Sequence, residues 1–173
     1  MDETRILGAV LAGGRATRFG SDKALARMAD GRTLIDHAVA GLAPHVAAVV
    51  ICGREGGLPD RPASDMGPLG GLNAALHHAL DYGFAGVLTT GCDMPFYPAA
   101  LPAALIGESA AILKGQQLLG WWPATLASEL DAHLAEENNR SIYGWIDRAN
   151  ARVVEIPGLV LPNINRPEDL AGL

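Results

Sequence analysis

Cysteine is nearly absent: Cys52 and Cys92 are the only two in 173 residues, far apart and in no C-x-x-C spacing. That excludes a disulfide framework and a cysteine zinc site, and it leaves two isolated thiols that read as buried apolar fillers. Long hydrophobic runs are also missing, since no window approaches the roughly 20 apolar residues of a bilayer span. No membrane association is expected. Basic charge is in deficit, with 13 Lys and Arg against 19 Asp and Glu and a net charge of -6. This disfavours an extended nucleic-acid track but leaves room for a local pocket that neutralises phosphates. The opening Met1-Asp2-Glu3-Thr4-Arg5 lacks the basic start and small-residue cleavage site of a secretory signal, so the expected location is the cytoplasm. Internal repeats, charge blocks and low-complexity segments are absent as well.

What is present suits one globular domain over residues 1–173: 49% of the chain is hydrophobic and 18% charged, at a length that supports a single sizeable core. Residues 6–11 form a continuous apolar run ending in glycines, and residues 46–51 and 87–90 repeat the pattern, as expected of parallel strands buried on both faces. Helical stretches lie between them at 33–42, with Thr33 as cap, and at 72–80, opened by Gly70-Gly71. The order β-α-β-α-β predicts an α/β fold, an open and mostly parallel sheet with helices on both faces and ligands at the carboxyl ends of the strands. Further along, the pattern predicts a helix at 99–106, strands at 110–114 and 118–122, a helix at 126–137, a strand at 152–156 and a terminal helix from Pro167. The Gly- and Pro-rich segment 53–68 predicts a mobile loop.

Three segments carry chemistry. The first, Leu11-Ala12-Gly13-Gly14-Arg15-Ala16-Thr17-Arg18-Phe19-Gly20-Ser21-Asp22-Lys23, follows the first strand and fits neither a P-loop nor G-x-G-x-x-G. Gly13 and Gly14 let backbone amides approach a base or phosphate, and Arg18 and Lys23 can neutralise a triphosphate. The second, Thr89-Thr90-Gly91-Cys92-Asp93-Met94-Pro95, ends a buried strand on a carboxylate. Asp93 there can hold Mg²⁺, which takes one or two carboxylates plus phosphates, or it can cap a turn. The third, Ser64-Asp65-Met66-Gly67-Pro68-Leu69-Gly70-Gly71-Leu72, turns into a helix whose free N–H groups, with Asp65, can read a base or ribose; alone it is also an ordinary glycine turn.

Taken together, Leu-Ala-Gly-Gly-x3-Arg-x-Gly, Asp-Lys, Gly-Pro-Leu-x-Gly, Cys-Asp-x-Pro and the late Asn163-Ile164-Asn165-Arg166-Pro167-Glu168-Asp169-Leu170 resemble the molybdenum cofactor guanylyltransferases of the MobA type, over practically the whole chain. The resemblance implies a Rossmann-like nucleotidyltransferase domain, of the nucleotide-diphospho-sugar transferase kind. It would transfer GMP from GTP to the molybdopterin cofactor, with Mg²⁺ as cofactor and pyrophosphate as the other product. Transient contacts with cofactor-delivering or cofactor-receiving proteins would go with such a role. It further implies that Leu11, Ala12, Gly13 and Gly14 hold the guanine nucleotide, with Gly70 in the third motif. Lys23 would meet the phosphates, Asp65 the nucleoside and Asp93 the metal, with Arg18, Lys23 and Asp93 as the catalytic set. Asn163 and Asn165 match the family's asparagine pair near the acceptor, although Asn165 also suits a helix cap.

The chain departs from that pattern at three places. Cys52-Gly53-Arg54 replaces an asparagine after the second strand, Asp65 lies only two residues before Gly67, and Gly120-Trp121-Trp122-Pro123 stands where relatives carry a simpler strand edge beside the acceptor pocket. Two other readings stay open, a transferase for a different small phosphorylated acceptor (cytidylyl or sugar-phosphate type) and a nucleotide-binding module without turnover. His77 and His78 sit side by side on a helix, facing different directions, which suits packing rather than a metal site. Arg140, Tyr143 and Trp145 belong either to an acceptor pocket or to a capped packing helix.

Overall fold

β1 (Ile6–Leu11) is buried along nearly its whole length and pairs in parallel with β2 (Ala48–Cys52) on one side and β3 (Gly86–Gly91) on the other. The structure, a computed structural model, describes residues 5–13, 22–136, 140–162, 164 and 168–169. Six strands make one sheet in the order β2-β1-β3-β5-β4-β6, completed by β4 (Ala111–Leu113), β5 (Gln116–Pro123) and β6 (Arg152–Val154). β5 runs antiparallel to both of its neighbours, and the other strands share one direction. The strand order reverses at β1, with β2 and β3 on opposite sides, so a crevice opens at the carboxyl ends of β1 and β3.

Strand side chains alternate between two cores. On one face Leu7, Val87, Ile112 and Trp122 pack against α2 (Pro68–Asp81), α4 (Ala127–Ala135) and α5 (Ile142–Arg148). On the other face Val10, Leu88, Ala111 and Trp121 pack against α1 (Leu34–Leu42) and α3 (Ala100–Leu105). Leu7, Leu72, Leu76 and Leu88 are wholly buried, and each such side chain contributes about 2 kcal/mol relative to an exposed one. Helices thus cover both faces, as the sequence pattern predicts.

Local chemistry fixes the helix ends. Thr33 Oγ1 accepts from the Asp36 amide at 3.2 Å while Asp36 Oδ2 accepts from the Thr33 amide at 3.0 Å, a reciprocal capping box that starts α1. α2 begins at Pro68, four residues before the expected start, because proline suits the first helical turn and the glycines that follow are packed rather than turning. It is tied to α4 through Asp131, which accepts from Asn73 Nδ2 at 2.8 Å and meets His77 Nε2 at 2.9 Å. His78 packs beside the Tyr82 ring, 4.4 Å between centroids, so both histidines serve helix packing. Segment 53–68, expected to be mobile, is held by backbone bonds: Leu58 N–H to Ile51 O at 2.8 Å, Gly53 N–H to Leu58 O at 2.9 Å and Arg61 N–H to Gly70 O at 3.1 Å.

The Trp121-Trp122 pair, a departure from the family pattern, is packed into the two cores. Both rings are buried, on opposite faces of β5, and they pair with Leu88 and Val87 towards the amino end of β3. The Trp122 indole N–H donates to Thr89 Oγ1 at 3.2 Å and the Trp121 indole N–H to Gly107 O at 2.8 Å. In α5, Ser141 Oγ caps the Tyr143 amide at 3.2 Å, Trp145 is fully buried against Trp122 and His133, and Tyr143 and Arg140 are exposed. This is the packing-helix alternative. The expected terminal helix from Pro167 begins outside the described residues. No helix among the described residues is long and apolar enough to cross a membrane.

Candidate active site

Gly13 sits at the joint of the crevice. Where β1 and β2 end, the Ala12 amide donates to Cys52 O at 3.1 Å, and Gly13 and Gly53 then pass so closely that a Cβ on Gly53 would lie 2.7 Å from Gly13 Cα. Gly53 also holds φ +78°, where a side chain is strained. A glycine-to-glycine crossing is therefore what lets the loops after β1 and β2 share one hollow.

On one side of this joint lies a hollow of about 200 Å³ lined by Leu11, Ala12, Gly13, Lys23, Cys92 and Asp93, among others. Lys23 opens the 3-10 turn Lys23–Leu25, which Asp22 caps by accepting from the Ala24 amide at 3.2 Å. Its Nζ lies 3.8 Å from Asp93 Oδ2. The Asp93 carboxylate folds back over Gly91, where a Cβ would stand 2.5 Å from Oδ1, so glycine is needed at the end of β3 to let that carboxylate reach the crevice. The Asp93 carbonyl accepts from the Ile164 amide at 3.1 Å, which brings the middle of the late asparagine motif to the same place. Cys92, expected to be a buried filler, is only half-buried and lines the hollow; burial pushes its thiol up to about 11, so it stays protonated. Cys52 is the buried filler expected, pushed up to about 12 by burial.

On the other side of Gly13 a larger hollow, about 620 Å³, is lined by Gly13, Gly53, Arg54, Asp60, Asp65 and Gly67, among others. Asp65 stands on its exposed rim at φ +60°. Deeper in is Asp60, which sequence reasoning missed. Its Oδ2 accepts from the Met66 amide at 3.3 Å, its Oδ1 is buried without a hydrogen-bond partner, and burial raises its carboxyl above the usual range, with the negative charge of Asp65 adding to the effect. Gly70 is buried beside it: a Cβ there would lie 2.9 Å from Asp60 Cγ, and its amide is already given to Gly67 O at 3.1 Å. Gly70 thus makes room for the Asp60 carboxylate.

Arg54, also missed, lines the larger hollow and reaches Asp22 at the smaller one. Its guanidinium grips Asp22 with two hydrogen bonds, Nη1 to Oδ1 at 2.9 Å and Nη2 to Oδ2, and these hold the Asp22 carboxyl below the usual range. Past Asp93 the crevice continues over Gly91 and Leu118 into a hollow of about 170 Å³ beside Gln116 and Gln117, and from there to another of about 300 Å³ between the β4–β5 turn and residues 155–161. Gly14, Arg18, Asn163 and Asn165 lie outside the described residues. The structure thus brings Leu11, Ala12, Gly13, Lys23 and Asp93 to one hollow and Asp65 to its neighbour.

Comparison with known proteins agrees with this geometry. Residues 8–152 match the MobA-like NTP transferase domain. The chain is 35% identical to a molybdenum cofactor guanylyltransferase of Rhizobium johnstonii, over 98% of this chain and 92% of that one. Among solved structures, the molybdopterin-guanine dinucleotide biosynthesis protein A of Archaeoglobus fulgidus superposes with a TM-score of 0.73 at 24% identity, covering 96% of this chain and 95% of that one. The 2-C-methyl-D-erythritol 4-phosphate cytidylyltransferase of Thermus thermophilus shares the fold at a TM-score of 0.65 and 16% identity, covering 98% and 96%. A nucleotidyltransferase built on a crevice at the ends of β1 and β3, the chain belongs to the MobA-like NTP transferase family.

Proposed function

We propose that the protein transfers GMP from magnesium-bound GTP to the molybdopterin cofactor, forming the guanine dinucleotide and releasing pyrophosphate. The observation that carries this reading is the meeting of Gly13, Lys23 and Asp93 in one hollow, with a larger hollow joined to it through Gly13. The nucleoside occupies the larger side, against the Gly13–Gly53 crossing and the Asp60 carboxylate, whose unpartnered Oδ1 is an acceptor suited to N–H groups of a base or hydroxyls of a ribose. Asp65 flanks it from the rim. The triphosphate extends past Gly13 to Lys23, and Arg18, between them in the sequence, is the second cation assigned to it.

The donor set fits magnesium. Among the described residues there is no cluster of three His, Cys, Asp or Glu that would cage a metal, while a lone carboxylate at Asp93 suits an ion that arrives with phosphate ligands. When bound, the ion neutralises phosphate oxygens as the α-phosphorus is attacked. An acceptor phosphate oxygen forms the new bond to the α-phosphorus, and the bond to the α,β-bridging oxygen breaks to free pyrophosphate. The attacking oxygen is already anionic, so no strong base is required; alignment and charge neutralisation by Lys23 and Arg18 supply the acceleration. The acceptor lies beyond Asp93, along the hollows beside Gln116 and Gln117, where the Ile164 amide anchors to Asp93; Asn163 and Asn165, its neighbours in the sequence, are the acceptor-binding candidates.

The test is direct. Purified protein with Mg²⁺ and molybdopterin cofactor is given GTP, CTP, ATP and UTP in turn, and the product is identified by mass. A guanine dinucleotide with stoichiometric pyrophosphate is expected; a cytosine product, or turnover only with a sugar phosphate, would replace the substrate assignment. Nucleotide binding without any pyrophosphate release would favour a non-catalytic module.

A further inference from the structure

We infer that Arg54 is a charge-compensating positioning residue: it neutralises Asp22 so that this carboxylate can cap the turn that presents Lys23 without repelling the incoming phosphates. The inference rests on the proposed binding of a nucleoside triphosphate at Lys23. Asp22 has a conflict of duties. Its Oδ1 accepts from the Ala24 amide and so shapes the first turn after the loop, yet its carboxylate lines the same hollow as Lys23 and Asp93. A bare carboxylate there adds to the negative field that a triphosphate must enter. Arg54, reaching across from the loop after β2, covers both of its oxygens in a fork that only a guanidinium can make.

Exposure separates this role from simple stapling of two loops. The Arg54 side chain is 21% exposed and that of Asp22 47% exposed, so the pair is well wetted, and pairs of this kind add little to stability. What it changes is the charge seen inside the crevice. Arg54 also lines the larger hollow, so one side chain sets the field at the boundary between the two compartments.

Asparagine caps a turn as well as aspartate does, which makes the idea testable by a paired substitution. Arg54→Ala is expected to raise the Kd for Mg-GTP about tenfold, the effect of one uncompensated charge at close range, with the melting temperature of the ligand-free protein nearly unchanged. Adding Asp22→Asn to Arg54→Ala is expected to recover most of that loss, because the cap persists and the exposed charge is gone. Titration calorimetry on wild type, Arg54→Ala and the double variant reads all three. A double variant as weak as Arg54→Ala would mean that the link between the loops, not the charge, matters, and an unchanged Kd in Arg54→Ala would remove Arg54 from the site; either overturns the inference alone. A wild-type protein that takes up none of GTP, CTP, ATP or UTP would overturn the functional reading, and this inference with it.

Discussion

On the two sides of Gly13 the crevice handles negative charge in opposite ways. In the smaller hollow Asp22 is compensated: Arg54 grips both of its oxygens and holds its carboxyl low. In the larger hollow Asp60 is left with one oxygen buried and unpartnered, and burial holds its carboxyl high. The first arrangement suits a place where phosphates must enter, since every spare negative charge there weakens binding. The second suits a place where N–H or O–H groups must be recognised, since a desolvated acceptor without a partner gains most when a donor arrives. The contrast teaches that an acid's duty is set by what faces it.

The largest test of this contrast is at Asp93. Asp93 shares the smaller hollow with Asp22 and is the proposed metal ligand, and Asp93→Ala is expected to lower kcat about 10³-fold with the fold intact. Steady-state kinetics over a magnesium series checks it; near-normal kcat in the variant would remove Asp93 from the metal site. Next comes the joint between the two sides. Gly53→Ala puts a Cβ 2.7 Å from Gly13 Cα at φ +78°, which is expected to cost about 2–3 kcal/mol and lower Tm by about 6 °C. Gly56→Ala, at φ +80° with nothing within 4 Å, is the control that isolates the conformational part, expected at about 1 kcal/mol. Equal losses in the two variants would show that the crossing is not tight.

Much of this was legible in the sequence. β1 runs over the residues its apolar run marks, α1 starts at the Thr33 cap, and Gly13, Lys23 and Asp93 meet because each follows a strand that ends at the same edge of the sheet. What escaped depends on contacts made across loops. Gly70 and Gly71 read as a turn in the sequence, which puts the start of α2 late, whereas they are helical residues kept small by Asp60, Met66 and Cys52. Asp60 sits in a Gly- and Pro-rich stretch with no motif around it, and only the folding back of residues 53–68 buries its carboxylate. Arg54 and Asp22 are 32 positions apart, and nothing in either segment announces the other.

Asp60→Asn tests the nucleoside side at a smaller scale. The variant is expected to weaken Mg-GTP binding about tenfold while raising the Tm of the ligand-free protein by about 2 °C, a trade of stability for recognition. The sign follows from the raised carboxyl. Above its folded pKa the native state carries a desolvated charge; as pH falls through that value the native state takes up a proton ahead of the unfolded chain, and the penalty disappears. The gain from asparagine should therefore be present at pH 7 and vanish in acid. A variant that is less stable than wild type at pH 7 would show that Asp60 is satisfied in the fold and not waiting for a ligand.

The smallest effect concerns a desolvated group that faces core instead of crevice. His133 on α4 is fully buried, edge-on to the Trp145 ring at 5.4 Å, and burial holds its pKa below the ordinary value. Arg148 lowers it further, while Glu136 and Glu129 pull the other way. Because the unfolded chain titrates near 6.5, this residue contributes nothing to the pH dependence above that value. Below it the unfolded chain takes up a proton that the native state refuses, and stability falls until the native His133 is itself protonated. The slope cannot exceed about 1.4 kcal/mol per pH unit for one proton. His133→Gln should flatten this part of the urea-denaturation profile and leave the Kd for Mg-GTP where it was, since neither His133 nor Trp145 lines the hollows on the two sides of Gly13. If Asp60→Asn and His133→Gln both left nucleotide affinity untouched, burial would be acting alike at both places, and the distinction between an acceptor held for a ligand and a ring held for packing would be lost.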